Sequence, residues 1–339
     1  MTNAPAHPRL GFRDGRTAEA TGTGRRSMDG SGEVGVPRSQ HVAIHPTVPP
    51  IPEVTVVVAT RNRREEVLRT VPRHEAPVVL VDNGSSDGTA AAVRRRLPNV
   101  SVVELRRNAG ARARTIGAEL ARTPLVAFAD DDSWWAPGAL QSAQRIMRDH
   151  PRLAVLAAQI RTMPGQDIDP ICECMAQSAL GREPDLPGPS VLGFVACAAI
   201  LRRDAFLAVG GFDDVVRFPG EEERVALDIA AAGLGLAYVA EVVAHHQPSP
   251  RREKAWLRRA GVTRSRLLTA SMRRPWPDLR HEALTALRNG PSGCYGLLTA
   301  LPRLPVALRH RRPLAPDVAE VLAGFRRSAG FSGQPAGSC

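Results

Sequence analysis

Three consecutive aspartates, Asp130, Asp131 and Asp132, follow the apolar run "PLVAFA" and precede two tryptophans. Adjacent anions repel one another, and each takes a raised pKa unless a cation sits among them. Either water solvates them in a loop or they hold a metal. Mg2+ and Mn2+ take oxygen ligands, typically one or two carboxylates completed by water and substrate phosphates. Asp130 and Asp132 form an Asp-x-Asp pair of that kind, and a solvated loop would carry charges of mixed sign.

Other residues with chemical potential are spread along the chain. Glu221 and Glu222 open a helical segment, where the helix dipole favours carboxylates. They are either a cap or, facing a crevice, a general base toward a hydroxyl. Asp82 closes the run "VVLVD", and Thr60, Arg61 and Asn62 close the first apolar run. A carboxylate at the carboxyl end of a parallel strand is placed to accept hydrogen bonds from a ribose or base. In the same region Asp87 has the composition of a helix cap. Arg112 and Arg114 lie near a helix start, two apart and so on different faces, which leaves one free to meet a diphosphate. His245 and His246 end a late strand as surface residues or metal ligands.

The elements that must position these groups follow from β-branched runs ending in turn residues: "VTVVVAT", "APVVLVDN", "NVSVVEL" and "PLVAFADD", with helix-like pieces between them. That alternation calls for an α/β fold with a mostly parallel central sheet flanked by helices. Ligands of such sheets collect at the carboxyl ends of the strands, where "ATRN", "VDNGSSDG" and "ADDD" fall. "LAVLAAQI", "GFVACAAILRR" and "GLAYVAEVV" add strands, and a helix runs from about 222 to 232, stopped by Gly233.

Composition bounds the organisation. Residues 1–50 have the Gly, Ser, Thr, Pro and Arg content of a disordered extension, 51–250 the texture of the folded domain, 251–330 a basic helical region, and 331–339 a flexible tail. The net charge of +11 is uneven, −3 over 51–250 and +12 over 251–339. The basic end suits an anionic membrane or nucleic acid, and the acidic middle repels both. No run nears the roughly 18 apolar residues of a membrane span. Five scattered cysteines read as free thiols in the cytoplasm.

Taken in order, "VVVATRNR", "VLVDNGSSDGT", "NAGARARTIGAELA", "VAFADDDSWWAPGAL", "LRRDAFLAVGGFDD", "GEEERVALDIAAAGLGLAYV" and "VAHHQPS" resemble family 2 glycosyltransferases of the GT-A fold. The resemblance covers about 200 residues, 53–250. It implies nucleotide-sugar contacts from Thr60, Asn62, Asp82, Arg114 and Asp131. It also implies a Mn2+ or Mg2+ site at Asp130 and Asp132 with His246 and His245, and a catalytic base at Glu222 or Glu221. Gly210 to Asp214 match the acceptor-side loop. Two departures stand out: the family usually writes Glu-Asp where this chain has Glu221 and Glu222, and the Asp and Arg that follow are exchanged as Arg224 and Asp228. The i,i+4 spacing still allows that salt bridge with its polarity reversed.

The resulting expectation is an inverting, metal-dependent transfer from a UDP-sugar or dTDP-rhamnose to a hydroxyl acceptor, in cell-surface polysaccharide, glycolipid or secondary-metabolite glycosylation. A lipid-linked acceptor and peripheral contact of 251–330 with the inner membrane face accompany it. Two rivals are weaker. A sugar nucleotidyltransferase would show a Gly-rich phosphate loop after the first strand, which "ATRNRREE" lacks. A nucleic-acid-binding protein would show a stacking platform, and aromatics are only 4% of the chain, so no nucleic acid partner is expected.

Overall fold

A computed structural model of the chain describes residues 53–249 and 254–316, together with 318, 319 and 322. The expectations for 1–50 and 331–339 lie outside the described residues. Nine strands form one sheet: β1 (Val54–Thr60), β2 (Val78–Asp82), β3 (Ser101–Glu104), β4 (Leu125–Asp130), β5 (Ser133–Trp135), β6 (Leu153–Thr162), β7 (Asp167–Ile168), β8 (Ala199–Arg202) and β9 (Gly235–His246). Their order is β3-β2-β1-β4-β8-β6-β9-β5, with β7 on β6.

The first half is the parallel sheet that the alternating pattern predicts, β3-β2-β1-β4. Its central strands are valine-rich and buried along nearly their whole length, as strands covered on both faces must be. The second half is mixed. β8 runs antiparallel to β4 and β6, β9 runs parallel to β6, and β5 runs antiparallel to β9. Of the run "GFVACAAILRR", only Ala199–Arg202 is strand, because Ala196–Ala198 forms a single 3-10 turn.

The helices that cover this sheet are α1 (Arg64–Thr70), α2 (Thr89–Arg96), α3 (Arg112–Leu120), α4 (Ala139–Asp149), α5 (Pro170–Ala176), α6 (Arg203–Ala208) and α7 (Glu222–Ala231). α3 lies unusually close to β1. A Cβ on Gly117 would stand 2.3 Å from Val57 Cγ1, so only glycine permits that approach. α7 ends in a Schellman motif: Gly233 has φ +75°, its N–H donates to Ala230 O at 2.9 Å, and Leu234 N–H donates to Ile229 O at 3.2 Å.

Between 255 and 309 the chain is helical, as its Leu and Arg pattern predicts: α8 (Ala255–Arg273), α9 (Trp276–Arg288), α10 (Gly290–Ala300) and α11 (Leu304–Arg309). These helices bury Leu267, Leu268, Met272, Ala286, Ala300 and Ala307 around Val215 and Val216, which lie in the loop before α7. Leu314 and Leu322 pack on Leu227 of α7 itself. The C-terminal region therefore holds both α7 and the loop that leads into it. Among the described residues, no helix is long and apolar enough to cross a membrane. Cys172, Cys197 and Cys294 carry the expected free thiols, whereas Cys174 is disulfide-bonded.

Candidate active site

The carboxyl ends of β1, β2 and β4 meet, as a parallel sheet requires, and their loops grip one another through side chains. Asp82 ends β2 fully buried. Its Oδ1 accepts from Ser85 N at 2.8 Å and its Oδ2 from Ala90 N at 3.1 Å. Two charge-assisted bonds to backbone N–H groups fix the 83–88 loop and the start of α2. The N-cap of α2 is Gly88, at φ 77°, and not Asp87, which stands one residue earlier and whose Oδ1 accepts from Thr89 N at 3.0 Å. Across the crevice, Asn62 holds a left-handed backbone (φ 54°) and accepts from Ser86 N at 2.8 Å. Asn and Asp tolerate that conformation better than other residues.

β4 delivers the aspartates. Asp130 N–H donates to Ser133 Oγ at 2.8 Å, so a tight turn folds β4 back into β5 and lifts Asp131 and Asp132 over the crevice. Thr60 Oγ1 donates to Asp131 Oδ2 at 3.0 Å, and Thr70 Oγ1 to the Asp131 carbonyl at 2.9 Å. Asp131 is pushed up to about 7, first by burial and then by repulsion from Asp130 and Asp132. Arg63 opposes that rise only in part. Asp132 Oδ1 lies 3.4 Å from His246 Nε2, while its Oδ2 accepts from Ser249 N at 3.1 Å.

The two histidines part company. They are adjacent on β9, so their side chains leave opposite faces of the sheet. His246 pairs with Ser133 in register and meets Asp132. His245 instead packs against the Trp134 ring at a centroid distance of 5.4 Å, and its pKa is lowered by burial and then by Arg161 and Arg73. Among the described residues, no group of three or more His, Cys, Asp or Glu side chains is arranged to hold a metal. Asp130 and Asp132 are carboxylates of the type Mg2+ and Mn2+ take, one or two at a time, with water and phosphate completing the shell.

Arg114 joins this turn to the helix opposite. It is buried, one Nη bonds Asp130 Oδ1, and the other lies 3.3 Å from Glu221 Oε1. Burial alone would lower its pKa, but Asp130 and Glu221 more than reverse this, so the guanidinium stays charged. Phe212 lies 6.0 Å from the guanidinium carbon. Arg112, two residues earlier, points to solvent and pairs with exposed Asp214 at 3.0 Å. One arginine faces inward and one outward, as the spacing requires.

Glu221 and Glu222 differ although adjacent. Gly220, at φ +93°, turns the chain into α7. Glu221 is buried beside Arg114, and its Oε2 has no hydrogen-bond partner. Glu222 is half-buried, its Oε1 accepting from Ala196 N at 3.4 Å. Burial raises both carboxyls, and Glu222 raises Glu221 further by repulsion. The exchanged pair does form: Arg224 Nη1 reaches Asp228 Oδ2 at 2.6 Å, and its Nε reaches Asp213 Oδ2 at 2.8 Å.

Several supporting residues give no signal in the sequence. Arg274 is fully buried and bridges Glu223, next to Glu222, to Glu282 at 2.9 Å. Arg273 pairs with Asp228. Arginines at the end of α8 and just beyond it, which read as surface charge, thus clamp α7. Asn83 joins β2 to α3, donating to Gly110 O at 3.0 Å and accepting from Ala109 N at 2.7 Å. An Asn after a strand reads only as a turn former.

Known proteins resemble this chain in sequence and in fold. Residues 55–210 match the model of glycosyl transferase family 2. An N-acetylglucosaminyl-diphospho-decaprenol L-rhamnosyltransferase of Mycobacterium tuberculosis is 29% identical over 213 residues, 52% of this chain and 69% of that protein. The mannosyltransferase PcManGT of Pyrobaculum calidifontis, solved with GDP-Man and Mn2+, superposes with a TM-score of 0.51 at 23% identity, over 84% of this chain and 77% of that one. S. aureus TarS 1–349, solved with UDP-GlcNAc, gives a TM-score of 0.51 at 15% identity, over 82% and 88%. With these two structures the chain shares its GT-A-like fold. The region that is similar to glycosyl transferase family 2 runs from β1 to Gly210.

Proposed function

We propose that the chain transfers a sugar from a nucleoside diphosphate to a hydroxyl acceptor by one inverting displacement. The observation that carries this reading is the position of Arg114, whose single guanidinium bonds both the aspartate turn and the acidic start of α7. A cation there serves the diphosphate on one side and the base-bearing helix on the other.

Thr60, Asn62 and Asp131 line the crevice that receives the donor, and Asp82 serves it from beneath by holding the 83–88 loop. Asp130 and Asp132, with His246 beside them, would hold Mn2+ or Mg2+, an ion that neutralises charge on a leaving diphosphate. His245, on the other face, takes no part. Glu222 is the base. Its half-buried carboxylate takes the acceptor proton as the acceptor oxygen bonds the anomeric carbon and the bond to the diphosphate breaks. Attack from the face opposite the diphosphate inverts that centre. Glu221, paired with Arg114, holds the alternative place.

The 29% identity to a rhamnosyltransferase supports dTDP-rhamnose as donor ahead of UDP-sugars, and a diphosphate-linked lipid as acceptor. A cytoplasmic location, peripheral to the inner membrane face, goes with such an acceptor. Thermal melting against a panel of nucleotide sugars, with and without Mn2+, tests the reading, because a ligand bound only by the folded state raises its melting temperature. The expected result is a rise with dTDP-rhamnose that Mn2+ enlarges. A panel with no shift for any nucleotide, with or without the ion, would remove the proposal.

A further inference from the structure

The C-terminal helices carry an exposed face that the transfer reaction does not use. α10 has no charged residue in its sequence "GPSGCYGLLTA", yet its outer side lies in solvent: Tyr295 is 45% exposed and Leu298 62%, and Leu301 just beyond it is 56% exposed. Trp256 of α8, 42% exposed, packs its ring edge-on to Tyr295 with centroids 5.6 Å apart. Isolated exposed apolar residues are ordinary, but a contiguous cluster of large ones on a soluble surface marks an interaction site.

Charge selects the occupant. The exposed charged side chains of 254–316 are all cationic, Arg258, Arg259, Arg280, Arg288, Arg309 and Arg312 among them. The two carboxylates in that span, Asp278 and Glu282, are half-buried or buried. An apolar stripe with Trp and Tyr, flanked by the arginines of 254–316, fits the headgroup region of an anionic bilayer. Arginine stems lie along apolar surface while their heads reach phosphate.

The face also continues to the reaction site. Arg258 lies 5.8 Å from the ring of exposed Phe218, two residues before Gly220 and the Glu221–Glu222 pair. Arg264 Nη2 donates to the carbonyls of Arg217 and Phe218 at 3.0 and 2.8 Å, tying that loop to α8. We infer that Trp256, Tyr295, Leu298 and Leu301 insert into an anionic membrane surface, with Phe218 at the border between bilayer and site, so that a lipid-linked acceptor reaches the base from the membrane plane. The acceptor part of this inference rests on the proposed transfer; the membrane contact does not.

Sedimentation of the full chain with phosphatidylcholine vesicles, and with vesicles containing phosphatidylglycerol, tests the contact without donor or acceptor. The parent is expected to sediment with the anionic vesicles and to leave them at high salt. Leu298→Asp together with Leu301→Asp should weaken that binding by about tenfold or more while melting as the parent does. Quenching of tryptophan fluorescence by brominated lipid should fall in Trp256→Phe, a variant that keeps an apolar ring. A parent that ignores anionic vesicles overturns the inference. So does a double variant that binds as well as the parent, or a parent that forms a dimer through this face and stays off the vesicles.

Discussion

Two acidic triplets face each other across the crevice, Asp130-Asp131-Asp132 at the end of β4 and Glu221-Glu222-Glu223 at the start of α7. They are built alike. The first member of each bonds Arg114, the middle member has a raised pKa, and the third is tied to the chain beyond β8. Their third members differ most. Asp132 accepts from the Ser249 N–H and lies 3.4 Å from His246 Nε2, whereas Glu223 is ion-paired with buried Arg274. A turn with an excess of anionic oxygen is suited to a cation brought in with the substrate. A helix start whose third carboxylate is neutralised in place leaves its middle one to exchange protons. The identical charge of the two triplets thus says little, and their partners say what each can do.

The largest expected effect falls on the middle glutamate. Glu222→Gln keeps the shape and the contact with Ala196 N, so donor affinity should stay while turnover falls by roughly 10² to 10⁴. Titration and steady-state kinetics separate the two quantities. The pH profile gives a second readout. A base must be ionised to accept the proton, and burial raises Glu222 above the ordinary carboxylate range. Turnover should therefore climb with pH along a limb lying above that range, and Glu222→Gln should flatten it. A crippling Glu221→Gln beside a benign Glu222→Gln would move the base one residue earlier.

In the other triplet, Asp132→Asn retains an acceptor for Ser249 N–H and removes only the charge. The Mn2+-dependent part of the nucleotide-induced shift should disappear. If the variant keeps that shift in full, the aspartate turn is not where an ion acts.

Much of this contrast can be read in the chain before folding, and the part that cannot has a physical cause. Valine-rich runs ending in "VDN" and "ADDD" announce parallel strands with carboxylates at their tips, and Gly233 announces the end of α7, because these signals are local. The i,i+4 spacing of Arg224 and Asp228 likewise carries its own geometry. β5 escapes notice because three residues, Ser133–Trp135, become a strand only by pairing with β9 more than a hundred positions later. Nothing local separates His245 from His246 until that pairing fixes which face each takes. Arg274 is the extreme case, one arginine among many whose burial depends on Glu223 and Glu282 arriving from two other helices.

That arginine gives the next test of the comparison. Arg274→Met fills similar volume but takes the buried cation away from Glu223 and removes one partner of Glu282, which Arg266 still approaches at 4.0 Å; breaking a buried pair costs about 3–5 kcal/mol. Chemical denaturation should show a loss of that size. Turnover measured well below the melting point should fall less than in Glu222→Gln, since α7 is also held by Arg273 on Asp228. If stability is unchanged, the clamp on the glutamate triplet is not what distinguishes it from the aspartate turn.

The smallest effect belongs to a neighbouring pair that repeats the contrast within one loop. Asp213 and Asp214 are adjacent, yet Asp213 meets buried Arg224 at 2.8 Å and accepts from the N–H groups of Val215 and Val216, each at 2.7 Å. Asp214 pairs with Arg112 at 3.0 Å where both side chains are largely in solvent. An exposed pair is screened and contributes about 0.2–1 kcal/mol. Asp214→Asn should accordingly shift the denaturation midpoint barely at all, and less still at high salt. Asp213→Asn keeps an acceptor for the two N–H groups but leaves Arg224 with less countercharge next to α7, so its loss should be larger and insensitive to salt. Equal, small losses at both positions would mean that Asp228 alone neutralises Arg224, and that the loop before the glutamates is held by Val215 and Val216 in the C-terminal core instead of by charge.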